Sequence, residues 1–177
     1  MTMLQLAVSD RDHIEGNVDA PVTLVEYGDY ECPHCGHAAP IVKRIQATMG
    51  LQLRFVFRNF PLTQVHPNAD AAAQAAEAAA VQGKFVEMHD MLFANQDRLA
   101  PDDLLRYAEK VGLDIQRFVS EMEAGDYAER VRDDFMSGVR SGVNGTPTFF
   151  VNGQRYDDSW EYAPLLANLQ RAAERAD

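Results

Sequence analysis

The sequence predicts an α/β fold interrupted by a block of helices, and three observations predict it. A strand, a helix and a second strand follow one another between Val22 and Arg58. Strand signals then vanish from Asn68 to Val143, and a short hairpin followed by a helix closes the chain. The length of 177 residues, with 46% hydrophobic and 24% charged, suits one substantial core rather than a string of small modules.

Val22 to Tyr27 (VTLVEY) is rich in β-branched and aromatic types, follows Pro21 and stops at Gly28, the pattern of a strand buried on both faces. A helix runs from about Pro33 to Met49 and is capped by Gly50. Leu51 to Arg58 (LQLRFVFR) then alternates, with Leu51, Leu53, Phe55 and Phe57 on one face and Gln52, Arg54 and Arg58 on the other. A strand–helix–strand crossover of this kind pairs its strands in parallel.

Asn68 is placed to cap an alanine-dense helix reaching Gln82, and Gly83 breaks it. Lys84 to about Asn95 resumes, with Phe85, Met88, Met91 and Leu92 at helical spacing. Pro101 opens a helix that Gly112 closes, Asp114 to Ala124 closes at Gly125, and Asp126 to about Val139 makes another. Strands return at Thr148 to Val151 and Gln154 to Tyr156. Asn152-Gly153 between them fits a type I′ turn, whose two central residues need positive φ. Ser159 or Asp158 caps the last helix, with Leu165, Leu166 and Leu169 facing inward. Residues 1–63 with 144–177 thus form one part, and residues 64–143 a helical insertion.

Composition excludes several function classes. Sixteen Lys plus Arg against 27 Asp plus Glu give a formal charge of −11, the wrong sign for a nucleic-acid binder and for long-range attraction to acidic partners. No apolar run approaches the roughly 18 to 20 residues needed to span a bilayer. Leu4 to Val8 lacks the flanks of an export signal, so the chain as written is expected in the cytoplasm, or in the periplasm or beyond if a leader precedes it. The two cysteines, Cys32 and Cys35, are too few and too close to staple a secreted scaffold.

Cys32-Pro33-His34-Cys35 follows directly on the buried strand and opens a helix, the context of a redox pair. Unpaired N–H groups and the macrodipole at a helix start favour an anion, so Cys32 is expected to ionise more easily than a free cysteine at about 8.5. Protonated His34 adds a positive charge. A drop of about three pKa units places roughly 4 kcal/mol on the reduced form, and about 30 mV of oxidising power accompanies each 1.4 kcal/mol. Cys32 at the helix tip is the expected nucleophile, and Cys35, one turn in, resolves the mixed disulfide. The alternative for the same residues is a metal held by Cys32, Cys35 and His37 (CPHCGH).

These residues, with the helical interruption and the late run GTPTFFVNG (Gly145 to Gly153), resemble the DsbA-like branch of the thioredoxin superfamily, thiol-disulfide oxidoreductases in which helices interrupt a thioredoxin fold. The resemblance covers most of the chain from Pro21 onward. It implies that Pro147 is cis and lies beside the thiols, with the backbone of Thr146 pairing to an extended substrate peptide. It also implies a role for Glu26, which shares a strand face with Val22 and Leu24. There, desolvation raises the carboxyl pKa, and the group can exchange a proton with Cys35. Tyr30 is expected to join an apolar substrate surface, while Phe149 and Phe150 suit either that surface or the core. His37, Arg58 to Leu62 and His66-Pro67-Asn68 read as structural, and Val86 departs from the aromatic that relatives carry beside Phe85.

The expected function is therefore disulfide exchange with protein thiols and disulfides. No cofactor or metal is expected, an unidentified redox partner is, and the oligomeric state is open. Direction is open too, because the helix tip and His34 favour an oxidant whereas cytosolic thiol pools favour a reductase. A metal- or peptide-binding module on the same scaffold and a glutathione-dependent transferase or isomerase are the alternatives.

Overall fold

The β-branched and aromatic run Val22–Gly28 (β2) forms the central strand, with every side chain but that of Thr23 buried. The computed structural model describes residues 2–176. Leu53–Asn59 (β3) pairs parallel to β2, and Thr148–Val151 (β4) pairs antiparallel on its other side. His13–Gly16 (β1) extends the sheet beyond β3 and Gln154–Tyr156 (β5) beyond β4, both antiparallel, giving the order β1-β3-β2-β4-β5. Asn152 and Gly153, at φ 48° and 82°, make the expected tight turn between β4 and β5. Thr2 to Leu4 runs along the far edge of β5, where Arg155 N donates to Thr2 O and Leu4 N to Gly153 O.

Helix α1 (Pro33–Met49) connects β2 to β3. Helices α2 (Ala69–Ala80), α3 (Phe85–Ala94), α4 (Pro101–Lys110), α5 (Ile115–Ala124) and α6 (Ala128–Arg140) lie between β3 and β4 in the chain, and α7 (Tyr162–Ala176) follows β5. Alanine dominates α2 because that helix packs against α3, α4, α5 and α6. Ala72, Ala75, Ala76, Ala78 and Ala79 are fully buried, and only small side chains allow so many backbones to approach. Phe55 and Phe57 of β3 share one apolar cluster with Met88 and Leu92 of α3 and Phe118 of α5, so sheet and helical block are packed through a common core.

Polar ties fix that docking. Asn59, at the end of β3, donates its backbone N–H and its side-chain amide to Asp134 of α6, both at 3.0 Å, and the same amide reaches Glu77 of α2 at 3.1 Å. His13 Nε2 meets Glu77 Oε2 at 2.7 Å. Burial pushes the Asp134 carboxyl up to about 6, against the pull of the Arg130 guanidinium.

Three sequence expectations are corrected. Leu51 is 79% exposed, because Gly50 at φ 53° turns the chain through a short 3₁₀ segment and the alternation begins only at Leu53. The strand β1 was not expected, since HIEG is short and polar and takes its conformation from pairing with β3. Asn68 makes no side-chain cap; its backbone N–H is bonded to Glu31 Oε2 at 3.1 Å instead. Asp114 does cap α5, accepting from Arg117 N.

On the second face of the sheet Arg58 is fully buried. It forks onto both carboxylate oxygens of Asp12 at 2.8 and 3.0 Å and donates to Leu6 O and to the Tyr27 hydroxyl. Removing one partner of a buried, hydrogen-bonded pair strands the other charge. Arg58→Leu is therefore expected to lower the unfolding free energy by about 3–5 kcal/mol in urea denaturation, and adding Asp12→Leu to recover part of that loss.

Candidate active site at the start of the first helix

Cys32 occupies the N-cap of α1 in extended conformation, φ −71° and ψ 122°, and Pro33 follows at the first helical position, where no N–H is needed. Cys35 lies within the first turn. Both thiols are free and buried, Cys32 at 4% exposure and Cys35 at zero. The Thr146–Pro147 bond is cis, and the loop carrying it sets the Thr146 carbonyl 3.6 Å from Cys32 Sγ. The Cys32–Cys35 pair and the Thr146–Pro147 loop, far apart in the chain, are thus brought together.

The electrostatics divide the two sulfurs. Cys32 is held down to about 5, first by the hydrogen bond from the Cys35 thiol and then, against the cost of burial, by the Thr146 side chain and the backbone N–H groups of Cys35 and His34. The Thr146 hydroxyl is buried and makes no hydrogen bond of ordinary length to any group. Cys35 goes the opposite way. Burial pushes it well above the free thiol, followed by the bond it shares with Cys32 and the nearby charges of Glu26 and Cys32. The Asp29 N–H, 3.5 Å from its sulfur, opposes weakly.

Glu26 is where the strand alternation put it. Its side chain is 2% exposed, its Oε1 has no hydrogen-bond partner, and Oε1 lies close to the space a Cβ on Gly28 would fill. Burial pushes the carboxyl up to about 8, with the charges of Cys32 and Glu15 adding to the rise.

Other expectations change. Tyr30 belongs to no surface: it is 1% exposed, packed against Phe57 and Phe93, and its hydroxyl meets His89 Nδ1 at 2.8 Å. The reason is that the chain dips under α3 between β2 and Cys32. His34 is exposed, and its backbone N–H, not its ring, is among the leading groups that hold the thiolate. His37 points to Glu161, Nε2 to Oε1 at 2.8 Å, so it supplies no third ligand beside the cysteines. Among the described residues no group of three or more His, Cys, Asp or Glu is placed to hold a metal. Phe149 and Phe150 are both core residues.

The partnership of Asp29 with His66, which the sequence marked only as structural, emerges from the structure. The buried Asp29 carboxylate accepts from Glu31 N at 2.7 Å, from Leu62 N at 2.9 Å and from His66 Nδ1 at 2.8 Å, tying the turn before Cys32 to the loop that leads into α2. An aspartate three residues before the N-cap Cys32 is the one sequence signal for this turn. His89 carried none; burial pushes its ring down to about 3, aided by the charges of Lys43 and His13, so it stays neutral under Tyr30.

The family model Thioredoxin_4, described as Thioredoxin, matches residues 9–171. This chain belongs to the thioredoxin family. A thioredoxin-like oxidoreductase from Silicibacter pomeroyi is 31% identical, with a TM-score of 0.81 over 95% of this chain and 93% of that one. The same fold is found in oxidised BdbD from Bacillus subtilis, at 23% identity and TM-score 0.86 over 98% of each chain. It is found again in α-DsbA1 of Wolbachia pipientis, at 18% identity and TM-score 0.81 over 98% of this chain and 96% of that one. Among curated relatives, a protein of Salinispora tropica named Na(+)/H(+) antiporter NhaA 3 is 50% identical over 163 residues, which are 92% of this chain and 25% of that protein. This thioredoxin-family chain spans about a quarter of the length of such relatives.

A buried carboxyl whose folded pKa is raised opposes folding once it must ionise. Its contribution is neutral below the unfolded value near 4.5 and grows unfavourable as pH rises towards about 8. Glu26→Gln is therefore expected to stabilise the reduced protein by about 2–4 kcal/mol at neutral pH and by nothing near pH 4. Urea unfolding at the two pH values checks the sign, and an equal effect at both would contradict it.

Proposed function

We propose that the chain is a thiol-disulfide oxidoreductase that acts on protein substrates through Cys32 and Cys35, in the direction of substrate oxidation. One observation carries the reading: a sulfur ionised at about 5 stands beside a buried partner that keeps its proton. An anion so stabilised favours the dithiol form and makes the disulfide form a strong oxidant.

In the disulfide form a substrate thiolate attacks Cys32 Sγ. The Cys32–Cys35 bond breaks, its electron pair leaves on Cys35, and Glu26, whose protonated form burial favours, supplies the proton that Cys35 takes up. A second substrate thiolate then attacks the substrate sulfur of the mixed disulfide and releases Cys32 as a thiolate, a fast departure because its pKa is low. The substrate has lost two electrons and the cysteine pair has gained them. A redox partner able to accept two electrons restores the disulfide.

The Thr146 backbone beside Cys32 suits an extended substrate peptide, held by main-chain pairing and apolar contacts rather than by charge steering, given the net charge of −11. Pro33 and His34 line the exposed mouth of the pair. Residues 1–63 and 144–177 supply the thioredoxin-like part, and residues 64–143 the helical insertion. Net oxidation is productive only where thiol pools do not reverse it, so the proposed direction goes with a working compartment outside the cytoplasm. The antiporter activity in the names of the longer relatives is not carried over.

Reduced, unfolded ribonuclease tests the reading. Wild-type protein in the disulfide form is expected to restore ribonuclease activity and Cys32→Ser to abolish that turnover, while Cys35→Ser, offered oxidised glutathione, is expected to accumulate a mixed disulfide at Cys32 with release of reduced glutathione. Undiminished turnover by Cys32→Ser would exclude the mechanism.

A further inference from the structure

Just beyond α3, the side chain of Gln96 reaches out of the helical insertion to the turn that carries the nucleophile. Its amide nitrogen donates to Cys32 O at 2.7 Å and to Tyr30 O at 3.0 Å, using both hydrogens on two carbonyls of the same turn. The turn that presents Gln96 is itself fixed. Asn95 Nδ2 bonds to Met91 O, Arg98 N to Asn95 O, and the Tyr107 hydroxyl of α4 to Arg98 O at 2.6 Å.

A second observation points to the same contact. Gly36, in the first turns of α1, has no positive φ to explain it, and a helical glycine is about 0.5–1 kcal/mol less favourable than alanine. A Cβ at Gly36 would overlap the end of the Gln96 side chain, lying 2.9 Å from Nε2 and closer still to the other amide atoms. Glycine at 36 leaves room for the amide of Gln96.

Resting on the oxidoreductase reading above, we propose that Gln96 is a positioning residue that fixes the active-site turn through the carbonyls of Tyr30 and Cys32, with Gly36 left bare to admit it. The Cys32 carbonyl belongs to the peptide plane that leads into the first helical turn. Holding it keeps the N–H groups of His34 and Cys35 aimed at the sulfur. Two donated hydrogens also offset the negative ends of two carbonyl dipoles beside a thiolate. The insertion therefore acts on the chemistry from outside the cysteine motif.

Gln96→Met keeps the length of the side chain and removes both donors, while Gly36→Ala displaces the amide and leaves residue 96 unchanged. Both are made in the full chain, and each is read by the pH profile of Cys32 alkylation and by equilibration with glutathione. Each variant is expected to raise the alkylation midpoint by about half a unit to one unit and to move the equilibrium about three- to tenfold towards the disulfide form. The double variant is expected to go no further than Gln96→Met alone, because both changes break one contact. A purely structural role would lower thermal stability in both redox forms and leave midpoint and equilibrium in place, which would overturn the inference. If Gln96→Met fails to fold, Gly36→Ala decides by the same two readouts. A wild-type protein that does not exchange with glutathione at all sinks the oxidoreductase reading; normal wild-type exchange with unmoved variants sinks only the role of Gln96.

Discussion

A sulfur anion at the open end of α1 is the constraint to which the rest of the site is fitted. At 4% exposure Cys32 has little water to solvate it, so a thiolate survives only if protein donors replace that water. Three kinds do so: the Cys35 thiol, the N–H groups of the first helical turn and the Thr146 side chain. Pro33 suits this arrangement, since a proline there takes a helical φ and withholds an N–H that the helix would not have used. The sheet supplies the other half, because β4 pairs with β2 in a register that delivers Thr146 to the end of the strand from which the cysteines emerge.

The same hydrogen bond that lowers Cys32 raises Cys35, so the pair is asymmetric by construction. Beneath it Glu26 adds a carboxyl that resists ionising while Cys32 is charged, and Cys35 resists ionising beside either. Three groups therefore compete in a poorly hydrated space for a single negative charge, and the one nearest the helix end wins it. That ordering separates a sulfur ready to exchange from a sulfur and a carboxyl that keep their protons until the disulfide forms or breaks.

Much of the fold was legible because its signals are local. The VTLVEY strand, the Asn-Gly turn and the glycine and proline stops of the helices each follow from conformational preferences of a few residues, and the structure places each within a residue or two of expectation. What failed was information carried by partners. The strand β1 exists because β3 offers it an edge, and Tyr30 is buried because α3 covers it. In the site, the CPHC motif could be found from its spacing and context, and Glu26 from the family resemblance, with strand alternation giving only its inward direction. Asp29, His66 and Gln96 could not, since each acts through backbone groups of residues distant in sequence, and no periodic pattern announces a side chain that reaches a carbonyl across 64 residues.

The central claim is the ionisation of Cys32, and the thiolate ultraviolet absorbance of the reduced chain, followed across pH, tests it most directly. The account predicts a first transition centred near 5 that disappears in Cys32→Ser. A single transition at the free-thiol value of about 8.5, unchanged by that substitution, would contradict it.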